Sequence, residues 1–146
     1  MQRELITFEL EDQLFGIDIM AIREIRAWTP VTRLPRVPHY VAGVVNLRGT
    51  VLPVVDLAAR LGWRPSEPTP RHAIIVIQMD GQTRGLIVDA VSDIVTVPSD
   101  ALQAPPATSG DTIVPFLEGL VALEDRMVMV LDLKAMGDDE VVAEAA

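Results

Sequence analysis

Hydrophobic and polar positions alternate from the first residues of the chain. Ile6, Phe8 and Leu10 fall on one side and Thr7, Glu9 and Glu11 on the other, the period-two pattern of a half-buried strand. Glu11-Asp12-Gln13 breaks the pattern as a turn. Phe15, Ile17 and Ile19 then alternate with Gly16, Asp18 and Met20, which predicts a hairpin. Residues 73–88 carry the same shape. At an offset of 69, Ile6, Phe8 and Leu10 match Ile75, Ile77 and Met79, while Gly16, Ala21, Ile22, Glu24 and Ile25 match Gly85, Ala90, Val91, Asp93 and Ile94. A second block, Gly43 to Leu57, matches Gly119 to Leu133 without a gap at an offset of 76, with Gly43 on Gly119 and Asp56-Leu57 on Asp132-Leu133. Alternation alone aligns apolar positions, but not glycines and Asp-Leu pairs in the same order. The chain reads as an internal duplication whose second copy has the longer middle loop.

Each copy predicts a hairpin, a third strand, a proline-rich connection, a second hairpin and a helical turn. The connections are Arg26 to Tyr40 and Pro98 to Pro115. Asp56 is placed to cap Leu57 to Leu61 ahead of Gly62, and Asp132 to cap Leu133 to Met136 ahead of Gly137. Arg48-Gly49 and Glu124-Asp125 form the tips of the second hairpins, where left-handed backbone is needed. Five short strands per copy suit a small closed barrel, which hides strand edges. The expected architecture is all-β with short helices. One barrel covers about 1–62 and another about 72–136, with exchange of strands between them left open. A proline-rich linker spans 63–71, and an acidic tail spans 137–146.

Composition narrows the function. With 146 residues, 49% of them hydrophobic, the chain has material for a core in one domain or two small ones, which excludes disorder. Its apolar runs are too short for a membrane helix, and Met1-Gln2-Arg3-Glu4 meets an acid before any hydrophobic stretch, so a cytoplasmic protein is expected. Without cysteine there is no disulfide framework and no thiolate chemistry. A net charge of −9 and 4% aromatic residues argue against a small barrel that stacks and neutralises single-stranded nucleic acid. Eleven of the twelve cations are Arg, the residue suited to planar contacts with carboxylates, although codon bias explains the same count.

No arrangement of residues points to catalysis. His39 and His72 lack a second His at the spacing of a metal site. None of Ser66, Ser92, Ser99 and Ser109 stands in a Gly-x-Ser-x-Gly elbow, and Gly43 to Thr50 lacks the Gly-Lys-Ser/Thr of a phosphate loop. Capping accounts for Asp56 and Asp132, and solvation for the acids of the tail. No catalytic residue, metal or cofactor is expected. What stands out is a difference between the copies. Asn46-Leu47-Arg48-Gly49 becomes Ala122-Leu123-Glu124-Asp125, while Glu24 becomes Asp93. Only the first copy can form an acid–Arg pair, between Glu24 and Arg48.

These residues carry a resemblance. Tyr40-Val41-Ala42-Gly43-Val44-Val45-Asn46-Leu47-Arg48-Gly49, continuing to Asp56-Leu57, resembles the signature of the CheW family of bacterial chemotaxis coupling proteins. Glu24-Ile25-Arg26, Val31 to Pro35 and Gly119-Leu120-Val121 match the same pattern, so the likeness runs from about Gln2 to Met136. It implies two five-stranded barrels of the Src-homology-3 type and an adaptor without catalysis or cofactor. The implied partners are the regulatory domain of a CheA-type histidine kinase and the cytoplasmic tip of a methyl-accepting chemoreceptor. That would recruit the protein to the inner face of the membrane. By motif, Ile22, Glu24, Gly43, Asn46, Arg48 and Gly49 are the implied partner-binding residues. A coupling protein of a twitching-motility or surface-sensing array remains an alternative.

Overall fold

The computed structural model describes residues 2–63, 69–79, 81–105, 113–124 and 126–136. Residues 64–68 of the expected linker, Asp125 at the second hairpin tip, and Gly137 with the acidic tail lie outside the described residues. In chain order the elements are β1 (Gln2–Leu10), β2 (Gln13–Asp18), β3 (Ile22–Ala27), β4 (Val41–Leu47), β5 (Thr50–Asp56), α1 (Leu57–Arg60), β6 (Ala73–Met79), β7 (Gln82–Val88), β8 (Ala90–Pro98), β9 (Leu117–Leu123), β10 (Arg126–Leu131) and α2 (Leu133–Met136). The 69-residue offset places β1, β2 and β3 on β6, β7 and β8, and the 76-residue offset places β4, β5 and α1 on β9, β10 and α2.

Local chemistry explains the turns. Glu11 and Asp12 take φ of 49° and 66°, and Arg48 and Gly49 take 52° and 86°, the left-handed pairs that match the twist of a two-residue hairpin. Alternation predicted that the second strand continues to Met20, but β2 stops at Asp18. The Asp18 carboxylate accepts the Met20 N–H at 2.9 Å and turns Ile19–Ala21 into one 3-10 turn. Asp56 accepts the Ala59 N–H at 3.3 Å and Asp132 the Lys134 N–H at 3.0 Å, so both carboxylates cap as their positions suggest.

The strands form two five-stranded sheets, in the orders β8-β1-β2-β10-β9 and β3-β6-β7-β5-β4. Exchanging the two copies converts one order into the other. The registers agree as well: Thr7 faces Gly16 and Asp93 in one sheet, and Val76 faces Gly85 and Glu24 in the other. Each sheet takes its first hairpin from one copy, and its third strand and second hairpin from the other. A division near residues 62–72 therefore does not separate the sheets. The first hairpin alone has two open edges; β8 closes the β1 edge and β10 the β2 edge.

This exchange gives three layers of core. Leu5, Leu14, Val97, Val121, Val128 and Val130 fill the first sheet, and Leu52, Val54, Ile74, Val76 and Ile87 the second. Between them a larger cluster, including Phe8, Phe15 and Ile17 from the first sheet with Ile75, Ile77 and Val88 from the second, welds the copies together. Strand β1 is accordingly buried on both faces, which corrects the half-buried expectation. Thr7 is 1% exposed. Its hydroxyl donates to the Asp93 carbonyl at 3.1 Å and accepts the Asp93 N–H at 3.0 Å, so the buried polar group is satisfied.

Candidate functional site

Strand β3 lies at the edge of its sheet and carries a bulge. Ile22 faces Ile77 and Glu24 faces Val76, with Arg23 as the extra residue. The bulge resets the alternation. Ile22 packs against the central core, Glu24 and Arg26 become half-buried, and Ile25 turns to solvent. At the other edge, the left-handed turn of Arg48 and Gly49 joins β4 to β5. Asn46 holds that turn closed, its Oδ1 accepting the Gly49 N–H at 2.7 Å. From there Arg48 Nη2 donates to Glu24 Oε2 at 3.0 Å, and Arg26 approaches the other Glu24 oxygen at 3.7 Å.

The expected acid–Arg pair therefore exists, and closure of the sheet brings its members together across 24 residues of chain. Beside it lies a shallow depression of about 430 Å³ whose lining includes Arg23, Leu47, Thr50, Val51 and Thr83. Val51 is 69% exposed and faces Asn46 across the ladder. The residues quoted from the motif thus separate into two groups. Glu24, Asn46, Arg48 and Gly49 form one exposed corner, whereas Ile22 packs on the core and Gly43 lies against the Thr32 backbone. Val51 escaped the sequence reading inside the apolar run Val51–Val55, although its phase opposite Leu52 and Val54 marks it as outward-facing.

The second copy builds a different corner. Glu124 occupies the left-handed position of Arg48 with φ of 54°, Ala122 replaces the turn-closing Asn46, and Asp93 uses its carboxylate to accept the Ile94 N–H at 2.8 Å. Exposed apolar residues recur all the same, with Ile94 at the place of Ile25 and Met127 at that of Val51. Replacing Asn46 with Ala removes the brace on the Arg48 turn. Urea denaturation should show a loss of about 0.5–1.5 kcal/mol.

A family model described as a CheW-like domain matches residues 4–141. The chain belongs to the CheW family. It is 51% identical over 134 residues to the probable chemotaxis protein CheW of Rhizobium etli, covering 92% of this chain and 86% of that protein. It is 50% identical over 138 residues to the chemotaxis protein CheW of Rhizobium meliloti, covering 94% and 89%. Among solved structures, the scaffolding protein TtCheW from Thermoanaerobacter tengcongensis aligns with a TM-score of 0.85 at 31% identity, over 96% of this chain and 90% of that one. The two sheets are thus the two SH3-like barrels of a CheW fold, and the chain takes its place among chemotaxis scaffold proteins.

Other polar groups of this CheW-family chain join the two copies of the repeat. Arg3 donates to Glu118 at 2.6 Å and to Asp18 at 3.3 Å. The Glu118 hydrogen bond raises the Arg3 guanidinium above its ordinary pKa despite partial desolvation. His72 is buried; its Nδ1 accepts the Thr69 N–H at 2.9 Å, and its Nε2 lies 3.4 Å from Asp89. Asp89 in turn accepts the Glu11 N–H at 2.8 Å, tying the β1–β2 turn to the second barrel. His72 and Asp89 flank the paired ends of the β6–β7 hairpin, Ala73 facing Val88, so this contact is local to the second copy. Among the described residues no group of three or more His, Asp and Glu is placed to hold a metal ion.

Proposed function

We propose that the chain is a non-catalytic cytoplasmic adaptor that couples methyl-accepting chemoreceptors to a CheA-type histidine kinase. One surface takes the kinase regulatory domain and another the receptor tip. Coupling of this kind needs no reaction. Simultaneous occupancy of two surfaces ties three components together, and avidity strengthens contacts that are weak singly. The observation that carries the reading is the Glu24–Arg48 pair, present in one copy only and set beside exposed Val51. An Arg held in place by a carboxylate next to apolar surface is the composition favoured in protein interfaces. Chemotaxis relatives at 50% identity favour this reading over a twitching or surface-sensing array. No helix of the described residues is long and apolar enough to cross a membrane, so recruitment to the inner membrane face would run through the receptors.

Arg48→Glu tests it. The side chain is 76% exposed, so unfolding should change by about 0.5 kcal/mol or less. Affinity for the kinase domain or the receptor tip should fall about tenfold, and kinase output in a reconstituted array should lose its dependence on receptor state. Unchanged affinities and output would make Arg48 a solvated surface charge.

A further inference from the structure

The connection from β3 to β4 is tied down along its length. Thr32 exchanges hydrogen bonds with Val44 at 2.9 and 2.8 Å, the Trp28 N–H reaches the His72 carbonyl at 3.3 Å, and the Val41 N–H reaches the Pro38 carbonyl at 3.0 Å. Pro30, Pro35 and Pro38 stiffen the backbone between these ties. Against the second sheet the connection leaves a cleft of about 470 Å³, within the range of roughly 300–1,000 Å³ typical of small-molecule sites. The cleft is graded from apolar to charged. Val41 and Ile87 are buried on its floor, and Trp28, Val31, Leu34 and Val37 are half-buried along it. Of its lining only Arg33 and His39 are exposed, so they form the rim.

The polar groups of the lining differ in what they can still bond. His72 engages Nδ1 with the Thr69 N–H, and its buried Nε2 lies against Asp89, so neither nitrogen is offered to a ligand. Asp56 is half-buried and caps α1 through the Ala59 N–H. Arg33 belongs to none of the ion pairs among the described residues, although the chain carries 21 acids. It is also a departure from the repeat. The bridges Thr32–Val44 and Gln103–Leu120 are equivalent, and they set Arg33 where the second copy has Ala104. An apolar chain with an anionic head fits this gradient. The chain displaces water from Trp28, Val31 and Leu34, while the head stays at the rim, where a guanidinium takes a carboxylate bidentately. A head placed deeper would meet the Asp56 carboxylate, and a cationic head at the rim would meet Arg33. Because the wall of the cleft is already pinned, little ordering remains to be done on binding.

We propose that this cleft binds a small amphipathic carboxylate of the medium-chain fatty acid type, with its tail along Trp28 and its head on Arg33. The cleft shares no lining residue with the depression beside Glu24 and Arg48, and the proposal does not depend on the coupling reading. The full ¹⁵N-labelled chain supplies its own probes. Its two indole N–H groups belong to Trp28 in the cleft and to Trp63, which packs on Phe15, and Trp28→Phe tells their resonances apart. Octanoate should shift the Trp28 signal saturably and leave that of Trp63 in place. Acetate, a head without the chain, should cause no shift at the same concentrations. Octylamine, the same chain with the opposite charge, should bind at least about tenfold more weakly. Arg33→Gln should weaken octanoate about tenfold at unchanged melting temperature, because the side chain is exposed, and Arg33→Lys should recover part of the loss. Absence of a saturable Trp28 shift, octylamine binding as tight as that of octanoate, or an Arg33→Gln affinity within about twofold of the native chain overturns the proposal. A Trp28 signal that moves with protein concentration alone assigns the cleft to a second copy of the chain and overturns it as well.

Discussion

Cut between Trp63 and Thr69, the chain should yield two fragments that are each unfolded alone and that regain β-structure when mixed. The N-terminal piece keeps only the β1–β2 and β4–β5 ladders; the partners of β1, β2, β3 and β5 across the exchange lie on the other piece. A two-stranded hairpin is at best marginally stable in water. The central core is divided as well, since Phe8, Leu10, Phe15 and Ile17 pack against Ile75, Ile77, Leu86 and Val88. Each fully buried side chain of this size contributes about 1.5–3 kcal/mol, and neither piece can bury them alone. Circular dichroism of the separate pieces and of an equimolar mixture decides the matter. A piece that folds cooperatively by itself would mean that its strands can re-pair within one copy.

Gly43→Ala should produce the largest loss of stability of any single change at the motif. A Cβ at this position would meet the Thr32 carbonyl oxygen at 2.1 Å and its carbon at 2.7 Å, and Gly43 sits at φ +150°. Those atoms are backbone, held by the paired Thr32–Val44 hydrogen bonds at 2.9 and 2.8 Å, and cannot step aside cheaply. Strain and displaced packing together predict about 3–5 kcal/mol. For a domain of this size the melting temperature falls by roughly 10 °C or more. Gly49→Ala is the control. Nothing lies within 4 Å of a Cβ there, so only its φ of +86° opposes the change, at about 1–2 kcal/mol. Similar losses at both positions would show that the Thr32 backbone yields. Poor partner binding by a Gly43 variant would follow from the fold, in contrast to Arg48, whose side chain is exposed while paired with Glu24.

The features legible in the chain itself depend on neighbours a few residues away. Left-handed preference at Arg48-Gly49, carboxylate capping by Asp56 and Asp132, and period-two alternation all act over one turn or one hairpin, so the elements and their repeat could be read directly. The Glu24–Arg48 pair was legible for another reason: the duplication supplied a second copy in which the pair is missing. Strand pairing was not legible, and duplication is the cause. Because β1 resembles β6 and β3 resembles β8, each third strand fits either hairpin in the same register, and no local pattern prefers one. Only the tertiary structure chooses, by closing both edges of each hairpin and burying its second face in the seam. The seam also decides what alternation could not: that Thr7 is buried, and that Arg60 lies against both Tyr40 and Phe116. These groups converge from different parts of the chain, and their contacts exist only once the two barrels share a core.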